Sequence, residues 1–148
     1  MDENGRRVFQ FFNEIGIINQ LAGAIFAARL PDGLHVSHFA LLNHLVRLGD
    51  EKTPLALASA FQVPKTTMTH TLAVLEKRAA IQLTPHPSDG RSKIVFLTDA
   101  GRKLHNDAIA SMADPIRQIT ADLGDGTISD LIPQLEKIRA YLDQNRSI

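Results

Sequence analysis

The fold is decided by the stretch TPLALASAFQVPKTTMTHTLAVLEKR, residues 53–78. Thr53 followed by Pro54 is typical of a helix start, because Thr caps the free N–H groups of a first turn and Pro fits the first helical position. The apolar spacing that follows predicts a short helix to about Phe61. Pro64 cannot lie inside a continuing helix, so the chain must turn there and begin a second helix. The stretch therefore predicts a helix-turn-helix.

The second helix is expected to run from Lys65 to about Arg78 and to have two distinct faces. At about 100° per residue, its large apolar side chains fall within a narrow arc. These side chains are Met68, Leu72 and Leu75. The opposite face carries Thr66, His70, Ala73 and Lys77. One face is therefore predicted to enter the core, and the other to present small, polar and cationic groups to a partner.

The residues after this helix predict a β-hairpin. Residues 81–84 alternate, and residues 93–97 form a β-branched and aromatic run. Between them, Asp89-Gly90 is a strong tight-turn dipeptide, so the turn is expected there. A helix-turn-helix followed by a hairpin is the order of a winged helix-turn-helix. The predicted fold class is mainly α with a small β-hairpin, flanked by N- and C-terminal dimerisation helices.

Helical spacing predicts the flanking helices, and Pro31-Asp32-Gly33 ends the first of them. The first predicted helix runs from about Gly5 to Leu30, and the second runs from His38 to Leu48 with Ser37 as its cap. After the hairpin, a helix is expected from the cap Thr98 to Leu123, with a bend at Pro115. A final helix carries Leu131, Leu135, Ile138 and Leu142. The first has more apolar surface than one packing face needs, which predicts a partner that covers it. We expect one domain over residues 1–148, with a DNA-binding lobe at about 34–101 and dimerisation helices at about 5–30 and 102–146.

Composition excludes several classes of protein. The 148 residues include no Cys, which rules out disulfide frameworks and thiolate chemistry. No apolar run approaches the ~20 residues of a membrane span, and the first residues lack the order of a signal peptide, so a cytoplasmic protein is expected. No phosphate-binding Gly-rich loop, nucleophile elbow or His-Glu-x-x-His occurs, so neither an enzyme nor a cofactor is expected. His35-x-x-His38 supplies two ligands where zinc usually needs three or four, so no metal site is expected.

The chain has no net charge, but its charges are unevenly distributed. Residues 62–103 contain seven basic and three acidic side chains, a net charge of +4, which leaves −4 on the rest. A basic segment that coincides with the predicted helix-turn-helix and hairpin favours a nucleic-acid partner. The candidate DNA contacts are Lys65, Thr66, Thr67, Thr69 and His70 for the major groove, and Arg91, with Asp89 orienting its guanidinium and Lys93 nearby, for the wing.

The segment from Asp89-Gly90-Arg91-Ser92 to Leu97-Thr98-Asp99-Ala100-Gly101 resembles the MarR family of bacterial transcriptional regulators. The family's wing carries a D-x-R pattern followed by an L-T-x-x-G helix start, and residues 57–78 look like its helix-turn-helix. The resemblance implies a homodimeric repressor that binds a pseudo-palindromic operator in double-stranded DNA, within the bacterial nucleoid. It also implies a small aromatic or anionic effector, with Phe12, His38, Arg47 and His105 as candidate neighbours.

Two departures from the family pattern bear on DNA affinity. His70 and Gly90 stand where the family often has Arg, which implies weaker phosphate contacts. His70 also predicts pH-dependent binding, because an imidazole gains charge only on acidification. The alternative that remains open is a winged helix used for contacts with another protein, without sequence-specific DNA binding.

Overall fold

The protein is described by a computed structural model that covers residues 1–31 and 33–147. In chain order, an antiparallel hairpin separates two groups of helices. The elements are α1 (Glu3–Ala27), α2 (Val36–Leu48), α3 (Pro54–Phe61), α4 (Lys65–Lys77), β1 (Ile81–His86), β2 (Asp89–Leu97), α5 (Asp99–Ala110), α6 (Ala113–Leu123), α7 (Asp125–Ser129) and α8 (Ile132–Gln144). This architecture confirms the predicted fold class, mainly α with a small β-hairpin. Contacts divide the chain into two compact units, Met1–Ser111 and Met112–Ile148.

The helix-turn-helix forms where the sequence predicts it. Thr53 Oγ1 accepts a hydrogen bond from the Ala56 amide at 3.2 Å, and Pro54 occupies the first turn of α3. Gln62 ends α3 in the left-handed conformation, with φ 53°. Pro64 is extended and directly precedes α4. The turn is tight because the Val63 amide reaches back to the carbonyl of Ala58 at 3.0 Å.

The core lies beneath the helix-turn-helix and reaches the hairpin. The predicted inward face of α4 is confirmed, since Met68, Leu72 and Leu75 are all buried. They pack in one cluster with Leu34, Leu41, Leu42, Leu45, Leu57, Ala58, Ala80, Ile81 and Val95. With this apolar side of α4 in the core, the opposite side of the helix is left to solvent.

The hairpin differs from the prediction at its turn. The two strands pair from Ile81 with Leu97 to Pro85 with Lys93, but His86 then pairs with Asp89. The tight turn is therefore Pro87-Ser88, and residues 90–92 form a bulge in β2. Asp89-Gly90 was the wrong position because the Asp89 carboxylate accepts from the amide two residues later, which stabilises the bulge instead of a hairpin turn.

Helix α5 begins at the predicted cap, tightly against the start of the hairpin. Thr98 Oγ1 accepts from the Gly101 amide at 3.0 Å and donates to the carbonyl oxygen of Ala79 at 2.6 Å. The Thr98 amide also donates to the carbonyl oxygen of Ala80 at 3.2 Å. This helix start is thus joined to the segment between α4 and β1.

Other predicted boundaries are corrected. Ser37 is not the cap of α2: the helix begins at Val36, and the His35 amide donates to His38 Nδ1 at 2.9 Å. The single bent helix after Thr98 is instead α5 and α6, interrupted at residues 111–112. Pro115 explains the interruption, because it has no N–H to continue a helix but is tolerated in the first turn of a new one. Asp32, in the predicted end of the first helix, lies outside the described residues.

Each unit leaves large apolar side chains exposed to solvent. In the first unit, none of the described residues of α1 is buried, and seven of its large apolar side chains are exposed. They are Val8, Phe9, Phe12, Ile17, Ile18, Leu21 and Ile25. In the second unit, α6 and α8 likewise have no buried residue in the described chain, and Ile116, Leu123, Leu135, Tyr141 and Leu142 are exposed.

Candidate nucleic-acid interface

The outward face of α4 forms an open groove of about 490 Å³. It is lined by Lys65, Thr66, Thr69, His70 and Ala73, and all of these residues are exposed. Four of the five predicted major-groove residues are therefore brought together on one face. Thr67 is exposed but does not line the groove.

Ala73 belongs to this groove although it was not among the predicted contacts. The helical period places it one turn after Thr69 and on the same face as Thr66 and His70. That spacing was the signal available in the sequence, and the lack of a polar group is the reason it was left out. A methyl group can contact the C5-methyl of thymine, so Ala73 adds an apolar group to this face.

The threonine hydroxyls of α4 are partly engaged by the helix itself. Thr69 Oγ1 donates to the carbonyl oxygen of Lys65 at 2.8 Å, and Thr71 Oγ1 donates to that of Thr67 at 3.0 Å. Thr71 is buried, so its bond satisfies a group that solvent cannot reach. Thr69 is exposed, so its bond determines which part of its side chain faces outward.

The wing tip is organised by hydrogen bonds within residues 86–91. The Ser88 amide donates to His86 Nδ1 at 3.2 Å. Asp89 Oδ1 accepts from the backbone amide of Arg91 at 3.0 Å. Asp89 thus holds the backbone of the bulge that carries Arg91. The predicted contact with the guanidinium is corrected, because the carboxylate has turned back to the main chain.

Four basic side chains on or next to the recognition face and the wing form no ion pair with the residues that the structure describes. Lys65, Lys77, Arg91 and Lys93 are exposed and make no ion pair with any residue in the described ranges. The surface pairs that do form are instead local ones on helices, such as Glu3 with Arg7 and Lys103 with Asp107. Cations without a protein counterion retain their full attraction for phosphate.

A buried histidine lies behind the recognition face. His38 is only 3% exposed, and burial lowers its pKa below the ordinary value of 6.5. The charges of His35, Arg78 and His70 lower the pKa of His38 further. The neutral form suits its structural role, because Nδ1 must be unprotonated to accept from the His35 amide.

The four candidate effector neighbours have different surroundings. Phe12 and Arg47 are exposed, whereas His38 and His105 are buried. His105 stacks on Phe39 with ring centroids 5.4 Å apart, and its Nε2 lies 3.2 Å from Asn43 Oδ1. His38 instead bonds the start of α2, so the two buried histidines have separate structural roles.

Within residues 1–31 and 33–147, no group of three or more His, Asp or Glu side chains is arranged to hold a metal ion. A search of the same residues finds no helix with the length and apolar content of a membrane span.

An exposed recognition helix next to a basic β-wing defines the class of winged helix-turn-helix proteins. A comparison with protein-family models matches residues 32–92 to the MarR family. Residues 32–92 thus match the MarR family model, and the chain has the fold of MarR-type regulators. The resemblance and the predicted wing are confirmed.

Solved structures of regulators share the fold. A probable transcriptional regulator from Pseudomonas aeruginosa is 27% identical, with 84% of this chain and 92% of that one covered and a TM-score of 0.67. A mutant of Escherichia coli MarR complexed with operator DNA is 21% identical, with 93% and 99% covered and a TM-score of 0.71. Bordetella bronchiseptica BpsR, whose DNA binding is regulated by 6-hydroxynicotinic acid, is 21% identical, with 88% and 98% covered and a TM-score of 0.71. A search of curated protein sequences found no significant match.

Proposed function

We propose that this protein is a homodimeric transcriptional regulator that represses from a pseudo-palindromic DNA operator and is released by a small aromatic or anionic effector. The observation that carries the proposal is the outward face of α4, where exposed Lys65, Thr66, Thr69 and His70 line one groove. The N-terminal part of a recognition helix is the part that meets base edges in the major groove.

The DNA-binding residues are assigned distinct roles. Lys65 contacts phosphate or guanine, and the exposed threonines and His70 face the bases. Arg91 enters the minor groove, where a guanidinium is favoured by the negative potential of a narrow groove. Asp89 positions it by fixing the backbone of the bulge, and Lys93 adds a phosphate contact from the wing strand.

The dimer is proposed from the uncovered apolar faces. Helices α1, α6 and α8 expose rows of large apolar side chains that a monomer leaves in water. A second copy that covers them would follow the two-fold symmetry of most soluble oligomers. Such a dimer would present two recognition helices to half-sites about 34–36 Å apart, which is one turn of DNA.

The effector is proposed from the family resemblance and from BpsR, whose DNA binding responds to a small aromatic acid. Phe12, His38, Arg47 and His105 remain the candidate neighbours. Of the two exposed ones, Arg47 lies outside the apolar surfaces assigned to the dimer, whereas Phe12 belongs to the exposed surface of α1 that the second copy would cover.

The decisive experiment is selection of bound duplexes from random DNA, repeated with Arg91→Ala. The wild type should enrich an inverted repeat, and Arg91→Ala should bind that repeat more weakly by about 1–3 kcal/mol and with a shallower salt dependence. Arg102→Ala is the matched control, since it removes the same charge from an exposed position on α5 that is not assigned to a DNA contact. Failure to enrich an inverted repeat, with no steep salt dependence, would favour a protein-interaction module instead.

A further inference from the structure

We infer that Thr69 is a specificity-determining residue that contacts the C5-methyl group of thymine with its own methyl group, so that the bases under the middle of α4 are A·T pairs. The inference rests on the proposed DNA-binding function and specifies the base class that this face recognises.

The hydrogen bond of Thr69 determines what it can offer to DNA. Its hydroxyl proton is donated to the carbonyl oxygen of Lys65 at 2.8 Å. A hydroxyl has one proton, so the engaged group cannot also donate to phosphate or to the acceptors of guanine. The exposed remainder of the side chain is a methyl group and an oxygen that can only accept.

One neighbour of Thr69, Ala73, extends its methyl surface along the helix. Ala73 lies one turn further on and lines the same groove, so its methyl continues the row. From Thr66 to Ala73 the helix rises ~10 Å, which corresponds to about three base pairs. The permanent cation that lines this groove in the described chain, Lys65, stands at the beginning of α4, away from Ala73.

This combination discriminates between base pairs. Thymine alone presents a methyl group in the major groove, whereas guanine presents two acceptors that require a donor. The Thr69 side chain, with its hydroxyl proton engaged and its methyl continued by that of Ala73, matches the first pattern and offers no donor to the second. Thymine is therefore the favoured base opposite Thr69.

The test uses the inverted repeat enriched by the wild-type protein, synthesised with thymine or with uracil at the central half-site positions. Uracil lacks only the methyl group, so each substitution opposite Thr69 should weaken binding about fourfold, the ratio that corresponds to ~0.8 kcal/mol for one buried methyl. On the protein side, Thr69→Ser removes the methyl and keeps the hydroxyl, whereas Thr69→Val keeps a methyl and removes the hydroxyl. Thermal unfolding of each variant checks that the fold is retained.

We expect Thr69→Ser to lose affinity for the thymine operator and to bind the uracil operator no worse than the wild type does. Thr69→Val should bind the thymine operator about as tightly as the wild type. The inference is overturned if the enriched repeat has no thymine opposite this face, if uracil binds equally well, or if Thr69→Val is the weaker variant. These outcomes concern a protein that does select an operator, so they are distinct from failure of the proposed function.

Discussion

Replacement of Gly101 by Ala should destabilise the protein, although Ala favours a helix. A Cβ atom at this buried position in the first turn of α5 would lie 2.0 Å from the carbonyl oxygen of Ala80 and 2.8 Å from Leu97 Cδ1. An ordinary carbon–oxygen contact is about 3.4 Å, so the two backbone segments must separate by roughly 1.4 Å. The closest atom is a backbone carbonyl oxygen, so no side-chain rotation can relieve this contact.

The magnitude follows from three contributions. Overpacking costs about 1–3 kcal/mol, and the upper end applies because the closest contact is with the backbone. Separation also stretches the 3.2 Å hydrogen bond from the Thr98 amide to the same carbonyl oxygen, worth about 1 kcal/mol. Ala regains about 1 kcal/mol of helix propensity. The free energy of unfolding should therefore fall by about 3 kcal/mol, which lowers the Tm by roughly 6–12 °C.

The assay is thermal or urea unfolding at one fixed protomer concentration, because oligomerisation shifts apparent stability. Gly126→Ala is the matched control: it lies inside α7, outside the three helices cited for the dimer, and a Cβ there meets nothing within 4 Å. The control should be as stable as the wild type or more so. If Gly101→Ala were equally stable, the close approach of α5 to Ala80 would be refuted.

Two further predictions concern His38 and Asp89. The pKa of His38 is lower in the folded chain than in the unfolded chain, so the unfolded chain takes up the proton first as the pH falls. The free energy of unfolding should therefore be highest above about pH 6.5 and should decrease as the pH drops below that value. His38→Gln keeps an acceptor for the His35 amide and cannot titrate. In urea unfolding, the loss of unfolding free energy between pH 7.5 and pH 5.5 should therefore be smaller in this variant than in the wild type. An equal loss in both proteins would contradict this role of His38. For the wing, Asp89→Asn should retain operator affinity in a binding titration because its amide oxygen can still accept from the Arg91 amide, whereas Asp89→Ala should lower it; equal affinities of the two variants would exclude the positioning role.

The sequence predicted the elements whose ends depend on local chemistry. Thr53 with Pro54, Pro64 and Thr98 each define a boundary through a cap or a missing amide proton, and the structure has helix boundaries at all three. The two faces of α4 followed from periodicity alone. Such features need only the nearest few residues, so tertiary packing has little opportunity to change them.

The errors arose where two local solutions competed. Ser37 is a better cap than histidine by preference, but His38 bonds the His35 amide and starts α2 earlier. Asp89-Gly90 is a strong signal for a hairpin turn, yet the Asp89 carboxylate instead accepts a hydrogen bond from the Arg91 amide and stabilises the bulge. In the candidate site, no pattern could reveal that the Thr69 hydroxyl bonds to Lys65, because the rotamer of an exposed Thr is not encoded by spacing.

The motif Leu97-Thr98-Asp99-Ala100-Gly101, which carried part of the family resemblance, has a structural explanation separate from DNA contact. Thr98 donates to the carbonyl oxygen of Ala79 and caps α5, and Gly101 lets the helix backbone approach Ala80. Residues 79 and 80 connect the end of α4 with the start of β1. The recognition helix, the wing and α5 therefore meet at one backbone junction, where any larger residue at position 101 would force them apart. A displacement of the first turn of α5 must consequently move the segment that joins the recognition helix to the wing. A glycine at position 101 avoids this displacement, because it has no Cβ to contact Ala80.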